Sequence, residues 1–221
     1  MKQTVRLPLF QRSSHWNIAN LVTFSRIGVT PVFLVLIFRP EIWAKWAGGL
    51  FFAWGAYSDY LDGYLARRYH LRTDLGALVD PLADKVLLMS AMLAFVQMQL
   101  VPAWMVAVIM AREFLITGLR QIAQNQKVII AASRAGKHKT VSQIVAVSVV
   151  LAIVCIRATV EGTQGRWEVV LAKLGGLGDF INDLVWYGPY WLMFYATVMS
   201  ILSGLDYLAK NKHLFSGKKA S

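Results

Sequence analysis

Only one cysteine occurs in the chain, Cys155, and it sits inside an apolar run. A single thiol forms no intrachain disulfide and no cysteine metal centre, so it is expected to serve as a small buried hydrophobe. Charge is scarce as well. Asp, Glu, Lys and Arg make up 16% of the 221 residues, whereas hydrophobic residues make up 57%, above the roughly 45–50% of soluble domains. Acidic residues are the rarer sign, 12 against 23 Lys and Arg, for a net charge of +11. In a soluble protein that balance would invite nucleic acid. With a mean hydropathy of +0.49, the expected partner is instead the anionic surface of a membrane and its lipids. The four histidines, His15, His70, His138 and His213, are scattered, and no pair has metal-ligand spacing. No cleavable leader is expected, because the first apolar run lacks a small-residue cleavage site and outruns a signal core. No transit-like leader is evident either, which favours a bacterial inner membrane over an organelle of bacterial descent.

What the chain has in abundance is apolar runs. A helix needs about 20 apolar residues to cross the hydrocarbon core. Six such spans are expected, over about 19–38, 44–67, 80–99, 102–123, 138–157 and 184–208. The fold class is therefore all-α and polytopic. A short interfacial helix is expected in segment 1–18, the six-helix bundle over 19–209, and a basic tail over 210–221, in one domain of 221 residues. Seventeen Lys and Arg fall near one side of the spans and five near the other. The positive-inside rule then places both termini in the cytoplasm. The Gly-rich stretch 158–183 reads as an outer connector, and Trp43, Trp46, Trp186 and Tyr187 read as interfacial anchors.

Against that background, residues 57–85 stand out: "YSDYLDGYLARRYHLRTDLGALVDPLADK". Asp59, Asp62, Gly63 and Ala66 have the i, i+3, i+4, i+7 spacing of one helical face, with Gly55 one turn earlier. Gly76, Asp80 and Asp84 repeat at i+4 on the next span. Each aspartate facing lipid would cost about 2.5–3.5 kcal/mol, so a polar cavity is required. Two like charges about 4 Å apart repel by about 4 kcal/mol at an effective dielectric of 20. Hard divalent cations relieve that repulsion, since carboxylate oxygens suit Mg²⁺ or Mn²⁺. Two such ions balance four carboxylates, and a paired-metal site suits displacement at phosphorus. Whether the third helix is N-capped by Asp80, with Pro81 as its first residue, or starts nearer Gly76 is left open by the sequence.

The stretch resembles the signature of the CDP-alcohol phosphotransferase family at every fixed position: Asp59, Asp62, Gly63, Ala66, Arg67, Gly76, Asp80 and Asp84. The resemblance implies transfer of a substituted phosphate from a CDP-linked donor to an alcohol, with release of CMP. It implies that Asp59, Asp62 and Asp80 bind two Mg²⁺ or Mn²⁺ ions, with Asp84 completing the site and acting as base. Asp62, Gly63, Ala66 and Gly76 would then border the nucleotide, and Arg67 would approach its phosphates. It also implies a homodimer in the membrane. "NIANLVTFSRIGVTPVF", "AREFLITGLR" and "AGKHKTVSQ" are similar to the phosphatidylglycerophosphate synthase branch of the family. That branch joins CDP-diacylglycerol to sn-glycerol 3-phosphate. Ala19 departs from it, since many members have proline there.

An acceptor that carries a phosphate needs fixed cations. Arg112 lies inside a span, where arginine is rare and usually functional, and its planar fork suits phosphate. Arg112, Lys137, Lys139 and Arg120 are the expected acceptor-phosphate site; the competing role of Arg112 is pairing with Glu113 or a backbone carbonyl. Asn20, with Thr23 and Arg26, is a candidate nucleotide contact. Two rivals are a family member with another acceptor (a cardiolipin or inositol-phosphate-type synthase) and an ion or proton transporter. The cytoplasmic bias of all four aspartates disfavours the transporter.

Overall fold

A computed structural model describes residues 18–69, 74–125 and 134–211; within them, the side chains of 18–24, 26, 59–69, 74–84, 124–125 and 134–135 lie outside the description. The expected interfacial helix, apart from Ile18, and the basic tail beyond Asn211 also fall outside. The described residues are helical, with no strand among them: α1 Ile18–Phe38, α2 Ile42–Tyr69, α3 Asp74–Gln97, α4 Ala103–Asn125, α5 Arg134–Gln164, α6 Trp167–Ala172 and α7 Gly176–Lys210.

Short polar or proline-bearing segments separate the helices. Pro40 follows the end of α1, and Glu41 accepts backbone bonds from Ala44 and Lys45 as α2 begins. The α3 terminus closes in a Schellman turn. Gln99 takes φ 59°, Leu100 N–H donates to Phe95 C=O at 3.0 Å, and Gln99 N–H donates to Val96 C=O at 2.9 Å. Pro102 then leads into α4, where its missing N–H costs nothing. Pro31 and Pro189 lie inside α1 and α7.

Three boundaries differ from expectation. Helix α3 starts at Asp74, six residues before Asp80. Asp80 is therefore no N-cap, and the earlier start is the one adopted. Helix α5 runs on to Gln164, well past 157. The stretch read as a connector holds α6 and the first turns of α7. There Gly178 is obligatory in the packing: a Cβ on it would fall 2.0 Å from the Leu171 carbonyl oxygen. Trp167 Nε1 donates to Asn182 Oδ1 at 3.3 Å, tying α6 to α7.

The six long helices share one core, formed by Phe33 and Ile37, Phe52, Met92 and Phe95, Met105 and Ile109, Val147 and Val150, and Met193. Helix α1 packs against α2 and α3, α4 against α7 and α3, and α5 against α7 and α2. The α2–α5 seam is close: Trp46 Nε1 donates to Thr159 Oγ1 at 2.8 Å, and Gly49 faces buried Cys155. The outside carries many large apolar side chains too. Trp43, Leu50, Trp54, Trp104, Leu115, Trp191 and Leu205 are all exposed, far more than a water-facing surface carries. Two helical segments, Gly136–Gln164 and Gly176–Lys210, are each long and apolar enough to cross a membrane.

Candidate functional site

Helix α2 is continuous through Asp59, Asp62, Gly63, Ala66 and Arg67, and α3 through Gly76, Asp80 and Asp84. The motif is therefore carried on two helices, with both aspartate pairs at same-face spacing. The side chains of these eight residues, and that of Asn20, are outside the description. The residues next to them are within it. Gly55 lies one turn before Asp59, and Leu87 and Leu88 lie one turn after Asp84. A Cβ on Gly55 would meet Leu87 Cδ2 at 2.3 Å. Helices α2 and α3 thus approach closely at Gly55 and Leu87, about one turn along the chain from Asp59 and Asp84. A cavity of about 250 Å³ opens at this junction, lined among others by Phe52, Gly55, Lys85, Leu88, Met92, Glu113, Lys139 and Gln143. Four aspartates at this spacing are, by their chemistry, a donor set that fits hard divalent ions. No cluster of metal-ligating residues occurs among the described side chains.

The described polar chemistry centres on Glu113 of α4. Its carboxylate is paired with Lys139 of α5, with Arg112 Nη1 at 3.2 Å and with Lys85 of α3 at 3.7 Å. All four side chains are largely buried, at 20% exposure or less. Lys85 also donates to Thr117 Oγ1 and to the Glu113 carbonyl. Arg112 Nη2 donates to Ser203 Oγ of α7 at 2.9 Å. One carboxylate therefore ties three helices together directly and a fourth through Arg112. Among the described side chains, three cations surround this one carboxylate, and losing it from so buried a place would be costly.

A second cavity, of about 460 Å³, lies beside the first and shares Thr140 with it. Its lining comprises Arg112, Ile116 and Arg120 of α4, Gly136, Lys137, Thr140 and Val141 of α5, and Ser203 and Tyr207 of α7. Three of the four cations expected at an acceptor phosphate, Arg112, Arg120 and Lys137, meet here. The fourth, Lys139, turns away: it lines the first cavity and its ammonium is held by Glu113. Among the described residues, no acidic one lines the second cavity. Its chemistry is that of an anion pocket, with guanidinium forks for bidentate contact and hydroxyls beside them.

Sequence reasoning missed Glu113 as the hub, seeing it only as a partner for Arg112, and missed the α7 wall altogether. A signal for α7 was present. Ser200, Ser203, Gly204 and Tyr207 have i, i+3, i+4, i+7 spacing within a span, and all four are buried. Small and hydroxyl residues on one stripe mark a helix face that packs closely.

The sequence profile described as CDP-alcohol phosphatidyltransferase matches residues 16–174, which contain α1 to α6 and leave α7 outside. Several bacterial relatives carry the name CDP-diacylglycerol--glycerol-3-phosphate 3-phosphatidyltransferase. The one from Bacillus subtilis is 40% identical over 148 residues, 62% of this chain and 77% of the relative. That from Rickettsia typhi is 30% identical over 199 residues, 90% of this chain and 99% of the relative. That from Escherichia coli K12 is 37% identical over 139 residues, 60% of this chain and 75% of the relative.

Proposed function

The chain belongs to the CDP-alcohol phosphatidyltransferase family, and from that premise we propose that it transfers the phosphatidyl group of CDP-diacylglycerol to sn-glycerol 3-phosphate. The products are phosphatidylglycerophosphate and CMP. Relatives spanning nearly the whole chain bear the name of that activity. The observation that carries the acceptor choice is the second cavity, where Arg112, Arg120 and Lys137 converge and, of the three, Arg112 also pairs with Glu113 behind the wall.

The family uses divalent metal ions. In this chain Asp59, Asp62, Asp80 and Asp84 would hold two of them, Mg²⁺ or Mn²⁺. When bound, such ions neutralise the diphosphate and the charge that builds on departing CMP. The residues do the rest. Gly63, Ala66 and Gly76 leave room for the nucleotide, Arg67 meets its phosphates, and Asn20 stands at the head of α1 as a further contact. Arg112, Arg120 and Lys137 seat the acceptor phosphate. Lys139 acts from the neighbouring cavity, through Glu113. Asp84 takes the proton of the acceptor hydroxyl as its oxygen bonds to the phosphatidyl phosphorus. The bond from that phosphorus to the CMP oxygen breaks in the same displacement. General base catalysis of this kind contributes about 10²–10⁴-fold.

The six long helices are read as six spans in a bacterial inner membrane, with both termini and the site on the cytoplasmic side. The charge bias and the exposed apolar belt support that reading. A membrane homodimer is the expected assembly. The test is CMP release by purified protein given CDP-diacylglycerol and one acceptor at a time. Release with sn-glycerol 3-phosphate supports the assignment. Release only with phosphatidylglycerol or an inositol phosphate would move the chain to another branch of the family.

A further inference from the structure

Two residues that line the second cavity each carry a buried polar atom without a hydrogen-bond partner among the described residues: Tyr207 Oη and Arg112 Nε. Tyr207 is only 6% exposed, and buried phenols nearly always find a partner. Both residues line the same cavity. Helix α7 also fixes the guanidinium itself. Ser203 accepts from Arg112 Nη2 at 2.9 Å. Gly204 lets the side chain lie flat on the helix, since a Cβ there would stand 3.2 Å from Arg112 Cγ and 3.5 Å from Nε.

We propose that Tyr207 is a direct contact to the acceptor, its hydroxyl donating to the phosphate of a small phosphorylated alcohol seated against Arg112. Ser203 and Gly204 are positioning residues that aim the guanidinium at the same phosphate. This rests on the acceptor reading above and extends it to α7, which lies beyond the segment matched by the family profile. The cationic wall supplies charge, and the α7 wall supplies a neutral donor. That division selects a compact phosphomonoester over an unphosphorylated alcohol, which would leave the buried phenol and Arg112 Nε unsatisfied.

The test uses the full-length protein in detergent with CDP-diacylglycerol. Tyr207→Phe removes one oxygen and keeps the ring packing. A hydrogen bond to a charged group is worth about tenfold or more, so the KM for sn-glycerol 3-phosphate should rise about tenfold. The KM for CDP-diacylglycerol should stay within about twofold, well below that effect. Gly204→Ala, which pushes on Arg112, should move the same KM in the same direction. Inorganic phosphate is the second probe: its competition against sn-glycerol 3-phosphate should weaken in Tyr207→Phe by a similar factor. An unchanged acceptor KM and unchanged phosphate competition in Tyr207→Phe, with the wild type active on sn-glycerol 3-phosphate, would overturn the α7 assignment alone. A change confined to kcat or to the donor KM would overturn it equally. No wild-type turnover with sn-glycerol 3-phosphate would remove the acceptor reading instead. In that case phosphate-dependent thermal protection, present in the wild type and lost in Tyr207→Phe, would still support the contact, and equal protection in both would end it.

Discussion

Replacing Glu113 by glutamine keeps the shape of the side chain and removes the negative charge that, among the described side chains, Lys85, Arg112 and Lys139 share. The two contacts at 3.2 and 3.7 Å are each worth about 4–5 kcal/mol of gross attraction at an effective dielectric of 20. Much of that offsets the desolvation of the groups, so the net loss is smaller. Breaking a buried pair from one side typically costs about 3–5 kcal/mol, because the other charge is left buried and alone. Here three cations at 7–20% exposure lose their common partner, so the cost belongs at that level. For a chain of this size about 1 kcal/mol lowers Tm by about 2–4 °C. The expected loss is therefore at least about 6 °C, read by thermal unfolding in detergent. A second variant separates charge from packing. Pairing Glu113→Gln with Lys139→Met removes one stranded ammonium, and the double variant should be more stable than the sum of the single losses implies. A loss under about 2 °C, too small for a stranded buried charge, or strictly additive variants would refute the view that this carboxylate holds the four helices together.

Other outcomes follow from the same geometry. Asp84→Asn should abolish CMP release while CDP-diacylglycerol still protects the protein against thermal unfolding; undiminished turnover would strip Asp84 of the base role. Arg112→Ala and Lys137→Ala should each raise the KM for sn-glycerol 3-phosphate more than that for the donor, checked by steady-state kinetics in both substrates. Gly178→Ala drives a methyl into the Leu171 carbonyl and should destabilise by about 1–3 kcal/mol, visible as a lowered Tm with the acceptor KM unchanged.

The parts of the fold that the sequence disclosed are those where one physical signal dominates. Helices α1 and α4, at Ile18–Phe38 and Ala103–Asn125, fall within two residues of the apolar runs at 19–38 and 102–123. Hydropathy sees only what the hydrocarbon core would cover, so helices that continue into polar sequence were cut short. That is why the apolar run of α5 stops at 157 rather than Gln164, and why the start of α3 stays open between Asp80 and the neighbourhood of Gly76 until the structure shows it at Asp74. In 158–183 the glycines argued for a loop, yet Gly178 is there to let two helices touch. The aspartate motif was legible because its spacing is local and helical. Glu113 was not, because its importance comes from Lys85 and Lys139, which are 28 and 26 residues away in sequence. Tyr207 was hidden for the same reason: its stripe could be read, but not the guanidinium opposite it.

The most direct measurement is metal-dependent product formation. Protein stripped with a chelator should convert no CDP-diacylglycerol. Adding back Mg²⁺ or Mn²⁺ with sn-glycerol 3-phosphate should yield CMP and phosphatidylglycerophosphate in equal amounts. Full synthesis of the lipid after exhaustive chelation, or CMP release that ignores the acceptor, would contradict a site built from four aspartates beside a cationic pocket.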